Sequence, residues 1–84
     1  MPTVLIIRGW RLFFYSDEGN EPIHIHAVKG GAEAKIWLAV ETFQIELAYE
    51  HGLGPTLRRE LRRIVYEHFD EIVEAWREHF GEQR

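Results

Sequence analysis

Two histidines separated by a single residue are the side chains in this sequence best suited to chemistry. His24 and His26 flank Ile25 in a strand-like segment, so both imidazoles are expected on one face, about 7 Å apart. Imidazole is a common ligand of zinc, iron and copper and a frequent general acid or base. The pair is therefore interpreted in three ways: as a metal site, as an acid–base pair, or as two side chains packed on Trp37 on a half-exposed sheet face.

A metal site requires a third ligand beside His24 and His26. The candidates are nearby acids and one further histidine, none of them at a diagnostic spacing: Glu18, Glu21 and His51. Lys35 is predicted opposite His26, and its ammonium group would repel a bound cation. The metal hypothesis is therefore ranked below acid–base catalysis, and no cofactor is expected.

The acid–base hypothesis describes a metal-independent ribonuclease. One imidazole would take the proton of a ribose 2′-hydroxyl and the other would protonate the leaving oxygen, while Lys35 would stabilise the charge of the phosphorane. The candidate catalytic residues share one predicted surface: Glu21, His24, His26 and Lys35. If the protein works through protein–protein binding instead, the same surface is the predicted recognition surface.

The first two turns of a predicted C-terminal helix contain four arginines: Arg58, Arg59, Arg62 and Arg63. Acidic residues follow them in the same helix, an order that opposes the helix macrodipole. The guanidinium groups could bind phosphates of RNA, or two copies of the helix could pair antiparallel about a two-fold axis. The net charge of −4 favours a protein partner, either a second copy or a small protein encoded nearby. Trp37 is a further candidate for this contact.

The composition limits the functions that the chain can perform. Its 84 residues predict one small domain, residues 1–84, and the absence of cysteine excludes disulfides, thiolate metal sites and cysteine nucleophiles. The longest apolar run near the start is Val4-Leu5-Ile6-Ile7, which is too short for a membrane span or a secretion signal. A cytoplasmic location without membrane contact is therefore expected.

These side chains must be positioned by strands. The apolar pattern predicts four strands and a short fifth strand. The predicted strands cover 2–7, 10–15, 22–28, 32–38 and 43–47. Apolar residues at three- and four-residue spacing predict one long helix over 55–80.

Two-residue turns fix the predicted register of the strands. Gly30-Gly31 is the strongest hairpin signal in the chain. It pairs residues on two opposite faces: His26 with Lys35 and His24 with Trp37 on one, and Ile25 with Ile36 on the other. The same rule at Arg8-Gly9 gives three pairs: Ile7 with Trp10, Leu5 with Leu12 and Thr3 with Phe14.

The predicted fold class is α+β, with an antiparallel sheet of four or five strands, two tight hairpins and one long C-terminal helix packed on one face. Five helix residues are expected to be buried: Leu61, Val65, Phe69, Val73 and Trp76. They should cover the apolar row of the sheet, formed by Ile23, Ile25, Ile36 and Leu38.

Several motifs together resemble a known family. They are Phe13-Phe14-Tyr15-Ser16, the segment 18–22 leading into His24-Ile25-His26, the segment Ala34-Lys35-Ile36-Trp37-Leu38, and the closing Ala75-Trp76. This combination resembles the bacterial domain-of-unknown-function family numbered forty-one sixty, over nearly the whole chain. Ile23 and Ala27 depart from its usual pattern. The resemblance implies a small toxin–antitoxin-like component that acts by protein binding, and it implies no established reaction.

Overall fold

Five strands form one antiparallel sheet in the computed structural model, which describes residues 3–81. The strands are β1 (Thr3–Ile7), β2 (Trp10–Phe13), β3 (His24–Lys29), β4 (Ala32–Ala39) and β5 (Gln44–His51), and each pairs with the next along the chain. Two helices, α1 (Pro55–Glu67) and α2 (Phe69–Phe80), pack on the apolar face of the sheet. The predicted α+β class and the fifth strand are confirmed. Position 2 of the first predicted strand lies outside the described residues.

The glycine turns set the register as predicted for the second hairpin. Lys29 pairs with Ala32 around Gly30-Gly31, and Gly30 has a φ of 57°, a backbone conformation that glycine adopts without strain. The predicted pairs across this turn are all present: His24 with Trp37, Ile25 with Ile36 and His26 with Lys35. The two histidines, Lys35 and Trp37 therefore share one face, as the sequence indicates.

The first hairpin departs from the predicted pairing at its open end. Ile7 pairs with Trp10 and Leu5 with Leu12, but a register shift between Thr3 and Leu5 pairs Thr3 with Phe13 instead of Phe14. β2 accordingly ends at Phe13, two residues before its predicted end. Phe14 follows the strand and is buried in the core at 1% exposure. The register shift is therefore consistent with the packing of Phe14 in the core.

The prediction of one continuous C-terminal helix is wrong, because the helix is interrupted at His68. This residue has φ −112° and ψ 21°, outside the helical region, although hydrogen bonds continue on both sides of it. A straight helix over 55–80 would be about 39 Å long. The longest dimension of the Cα trace is 35 Å, so the break lets both halves keep their apolar faces on a short twisted sheet.

The break also changes the electrostatics that the sequence suggests. Asp70 and Glu71 fall in the first turn of α2, and Arg77 and His79 fall in its last turn. Acids at the start and bases at the end agree with the helix macrodipole. The conflict predicted for one long helix therefore remains only in α1, whose arginine-rich start has no acidic residue in its first turn.

One buried cluster joins the helices to the sheet. All five predicted helix residues are buried, from Leu61 to Trp76, and so is the predicted sheet row. The core prediction is confirmed because three- and four-residue spacing survives the helix break in both halves. Within residues 3–81, neither helix combines the length and the apolar character that crossing a bilayer requires.

Glu60 links α1 to the sheet through two donors. Its Oε1 accepts the indole N–H of Trp10 at 2.8 Å and the ammonium of Lys29 at 2.9 Å. The bond with Lys29, followed by that with Trp10, holds the pKa of Glu60 below its ordinary value of 4.5. A carboxyl with a lowered pKa stabilises the folded state above the unfolded-state pKa, and this contribution disappears as pH falls through the folded-state value.

We therefore expect Glu60→Gln to lower the free energy of unfolding at neutral pH. The difference from the wild type should shrink as pH falls below 4.5, where the wild-type carboxyl also becomes neutral. Urea unfolding across this pH range measures it. Glu67→Gln, an exposed residue of α1, is the matched control and should show a small difference at every pH. An equal and pH-independent loss in both variants would contradict the prediction.

Candidate metal centre

The loop between β2 and β3 folds Glu18 back toward the strands. Glu18 donates its backbone N–H to the carbonyl of Tyr15 at 3.3 Å, and Glu21 donates to the carbonyl of Glu18 at 3.1 Å. These two turns arise in a run of turn-forming residues, 16–20. The backbone N–H of Tyr15 also donates to the Glu18 carboxylate at 3.1 Å, which fixes the side chain in place.

Gly19 allows the same loop to pack closely against α2. A Cβ atom at this position would lie only 2.7 Å from Cδ1 of Phe80, the last residue of the helix. The absence of a side chain here lets the loop approach the aromatic ring. The loop that carries Glu18 is therefore positioned by its contact with α2 as well as by the hydrogen bonds with Tyr15.

Both histidines direct Nε2 at this one carboxylate. Nε2 of His26 lies 2.9 Å from Oε2 and 3.0 Å from Oε1 of Glu18. Nε2 of His24 lies 2.9 Å from Oε1. Among the described residues, these three are the one group of at least three acidic or imidazole side chains close enough to hold a metal ion, with their ligand atoms within 4.8 Å of one another.

A second hydrogen bond determines the protonation of His24. Its Nδ1 lies 2.9 Å from the backbone carbonyl of Pro22, and a carbonyl can only accept, so Nδ1 carries a proton. In the neutral ring Nε2 then bears a lone pair that faces a carboxylate oxygen. The contact does not meet hydrogen-bond geometry, and Nε2 is buried without a hydrogen-bond partner. Two acceptors facing each other in this way repel unless a cation lies between them.

Aromatic rings enclose the two imidazoles. His24 is 0% exposed and lies edge-on to Trp37 at 5.2 Å and to Trp76 at 4.9 Å, both measured between ring centroids. His26 is 6% exposed and stacks on Phe13 at 5.5 Å. The expectation of a half-exposed face is therefore wrong for the histidines, because the 15–21 loop and these rings cover them. The predicted contact with Trp37 is present for His24.

The carboxylate of Glu18 is ionised in this environment. Burial acts to raise its pKa, but the hydrogen bonds with His26 and the backbone of Tyr15, together with the adjacent imidazole of His24, outweigh it, and the pKa lies below its ordinary value. Two imidazole nitrogens and one carboxylate oxygen are a donor set typical of zinc and non-haem iron. Ligand atoms about 2.0–2.1 Å from a tetrahedral zinc ion lie about 3.4 Å apart, so binding would move each imidazole about half an ångström away from the carboxylate oxygen that it faces at 2.9 Å.

Lys35 does not oppose a metal ion in the way that the sequence suggests. Its Nζ lies 2.9 Å from Oε1 of Glu21 and 4.4 Å from the centre of the Trp37 ring. The ammonium is therefore paired with a carboxylate and held over an aromatic face. Glu21 is engaged by Lys35 and is not part of the histidine cluster. His51, the other alternative ligand, lies at the end of β5 opposite Glu33.

The ribonuclease hypothesis requires side chains that can reach a substrate. His24 has no exposed surface, and both imidazoles face the same carboxylate instead of opposite sides of a cleft. Lys35 is directed to Glu21. The hypothesis stays a prediction that this geometry does not support.

The four arginines are divided between two sides of α1. Arg58 forms an ion pair with Glu50, its Nε 3.0 Å from each carboxylate oxygen, and Arg62 lies over the ring of Tyr66. Arg59 and Arg63 instead line a cavity beside the β1–β2 turn. The single arginine cluster predicted from the sequence is thus two separate pairs, each with four-residue spacing.

The backbone contacts of the centre carry no signal in the sequence. The carbonyl of Pro22 and the N–H of Tyr15 act through main-chain atoms that every residue type offers. Glu18 can be identified as a candidate because it is close to the histidines in the sequence. The sequence does not show that Glu18, and not Glu21, contacts them, because this depends on the two turns of the loop. The turns can be predicted from the polar residues only when the ends of β2 and β3 are known.

The fold and the cluster together define a small α+β domain with a buried site of two histidines and one glutamate. Comparison with protein-family models matches residues 9–77 to the family described as a domain of unknown function (DUF4160), and the chain belongs to this family. The match contains the whole cluster and confirms the resemblance. No curated protein and no solved structure matches the chain.

Proposed function

We propose that this domain binds one divalent transition-metal ion through Glu18, His24 and His26. The observation that carries the proposal is the buried Nε2 of His24, which lies 2.9 Å from a carboxylate oxygen with no hydrogen-bond partner. An ion between the two atoms would convert a repulsive contact into two coordination bonds. The alternative occupant is a proton, which would make His24 an imidazolium ion.

The surroundings of the cluster support a metal ion. A metal-binding histidine usually donates its second ring N–H to a carbonyl or carboxylate, which orients the ring and selects the tautomer. His24 makes this contact with Pro22, and the carboxylate of Glu18 is likewise oriented by the Tyr15 N–H. Both partners are main-chain groups on the same loop, so the ligand atoms are positioned before any ion arrives.

The number of ligands indicates what the ion could do. Structural zinc sites use four protein ligands, whereas sites with three protein ligands leave a position for water or a substrate. This cluster supplies three, and the 13% exposure of the Glu18 side chain is the side on which solvent reaches it. The proposal is therefore a metal centre with an open coordination position, and not a closed structural site.

Metal titration of the purified protein tests this proposal. We expect one equivalent of Zn²⁺ by calorimetry, and one equivalent of Co²⁺ with visible absorption bands from nitrogen and oxygen ligands. His24→Ala, His26→Ala and Glu18→Ala should each weaken binding by about tenfold or more, as second-shell losses alone already do. His51→Ala removes an exposed histidine outside the cluster and is the matched control.

Two results would overturn the proposal. One is a wild-type protein that binds neither ion at a one-to-one ratio, which would identify the occupant as a proton. The other is binding that His51→Ala weakens as much as His24→Ala does, which would indicate non-specific association with surface imidazoles. Circular dichroism of each variant shows whether it is folded. If an alanine variant is unfolded, Glu18→Gln is measured in its place.

The toxin–antitoxin-like role rests on the family resemblance alone and stays a prediction. Its partner would be a second copy or a small protein encoded nearby, and co-expression followed by size-exclusion chromatography measures such binding. The metal proposal is independent of this role.

A further inference from the structure

A second polar site lies where the β1–β2 turn meets α1, and it shares no residue with the histidine cluster. A cavity of about 180 Å³ opens there, and its lining residues are Arg8, Thr56, Arg59, Glu60 and Arg63. We propose that this cavity binds a phosphate group of a ligand whose remaining atoms lie in solvent. Its volume is below that of sites that enclose a whole small molecule, which are about 300 Å³ or more.

The charges around the cavity favour an anion. None of the three arginines has an ion-pair partner within residues 3–81, and Arg59 and Arg63 are like charges one helical turn apart, which repel each other. Glu60, the single acid of the lining, is already paired with Lys29 at 2.9 Å and accepts the Trp10 indole N–H. Arg8 acts on the same carboxylate from a longer distance and contributes to its lowered pKa, so Glu60 is shared between Lys29 and Arg8, and Arg59 and Arg63 have no ion-pair partner among the described residues.

The third arginine comes from a strained position. Arg8 has a φ of 53° at the first position of the two-residue turn, where glycine, asparagine or aspartate is preferred. A residue with a bulkier side chain is strained in this conformation. Its side chain supplies the one cation on the sheet side of the cavity lining, opposite the pair on α1.

The start of α1 adds weaker donors on the same side. The helix begins at Pro55, no acidic residue lies in its first turn, and Thr56 offers a hydroxyl within the lining. Free N–H groups and the positive end of the macrodipole favour an anion there. Planar guanidinium groups form paired hydrogen bonds with phosphate oxygens, so phosphate is the ligand group that this set fits best.

Titration of the metal-free protein with phosphates of increasing size tests the site. Amide chemical shifts would be followed with inorganic phosphate, pyrophosphate, a nucleoside 5′-monophosphate and a short single-stranded RNA. We expect shifts at Arg8, Thr56, Arg59 and Arg63. The double variant Arg59→Gln/Arg63→Gln should weaken binding by about tenfold or more, since it removes two charged hydrogen-bond donors from the cavity.

The matched control is Arg62→Gln, which removes one charge from the same helix outside the cavity. It should leave the affinity within about twofold of the wild type, because salt screens the interaction between an exposed charge outside the cavity and the bound phosphate. Tighter binding of RNA than of pyrophosphate, lost in the double variant, would assign the phosphate to a nucleic acid. Equal affinity would assign it to a small molecule. The proposal would be overturned if no probe changed the chemical shifts of the cavity residues. It would also be overturned if Arg62→Gln and the double variant lost the same affinity.

Discussion

Trp76→Ala is expected to lower the free energy of unfolding by about 3–5 kcal/mol, as the loss of a fully buried large aromatic side chain does. The total stability of a small domain is about 5–15 kcal/mol, so this single change would leave the protein close to its unfolding limit. The Trp76 ring is 0% exposed and lies against Phe14 at 5.2 Å, Phe80 at 4.3 Å and His24 at 4.9 Å. Urea unfolding followed by circular dichroism measures the effect.

Trp76→Phe separates the volume of this side chain from its polar atom. The indole N–H of Trp76 is buried without a hydrogen-bond partner, which is itself unfavourable. Phenylalanine keeps most of the aromatic contacts and removes that N–H, so its cost should be well below that of alanine. If both variants lost the same stability, aromatic packing at this position would not be the cause.

Glu18→Gln is expected to remove about half or more of the stabilisation that zinc gives the wild type. At a free zinc concentration of about one hundred times the dissociation constant, binding adds about 2.7 kcal/mol to the free energy of unfolding. In a domain of this size that raises the melting temperature by about 10 °C or more. Glutamine keeps the shape of the side chain but offers a neutral amide in place of a charged ligand. Thermal melts with and without zinc measure both effects.

The response of both proteins to zinc distinguishes a metal ion from a proton. A glutamine amide can donate to Nε2 of His24, but the oxygen that it replaces also accepts the Tyr15 N–H, and the lowered pKa of Glu18 shows that the ionised carboxylate stabilises the fold. We therefore expect metal-free Glu18→Gln to be less stable than the metal-free wild type at neutral pH. A metal ion predicts that zinc stabilises the wild type more than the variant, whereas a proton predicts that zinc stabilises neither. The second outcome would contradict the metal proposal.

The sheet could be predicted from the sequence because its side chains have only one consistent register. A slip of one residue in the second hairpin would exchange Ile25 with a histidine on the core face, and Gly30-Gly31 permits a turn only where the strands meet correctly. The first hairpin lacked such a constraint at its open end. There the burial of Phe14 decided the pairing, and this tertiary effect has no local signature.

The break at His68 could not be predicted for a similar reason. The apolar spacing continues from Ile64 through Phe69 to Ile72 without a proline or glycine, so the local pattern is that of one helix. The interruption depends on the length and twist of the sheet below. The histidine pair, in contrast, was visible in the sequence, whereas its choice of Glu18 depended on how the loop folds.

Glu18, His24 and His26 all belong to the single hairpin that joins β2 to β3. Closing so short a loop costs little chain entropy, and hairpins form within microseconds. These ligands can therefore meet early during synthesis, before α1 and α2 have emerged to shelter the inner face. An ion captured at that stage would act as a template for this hairpin, and metal supply would influence the yield of folded protein as well as its final state.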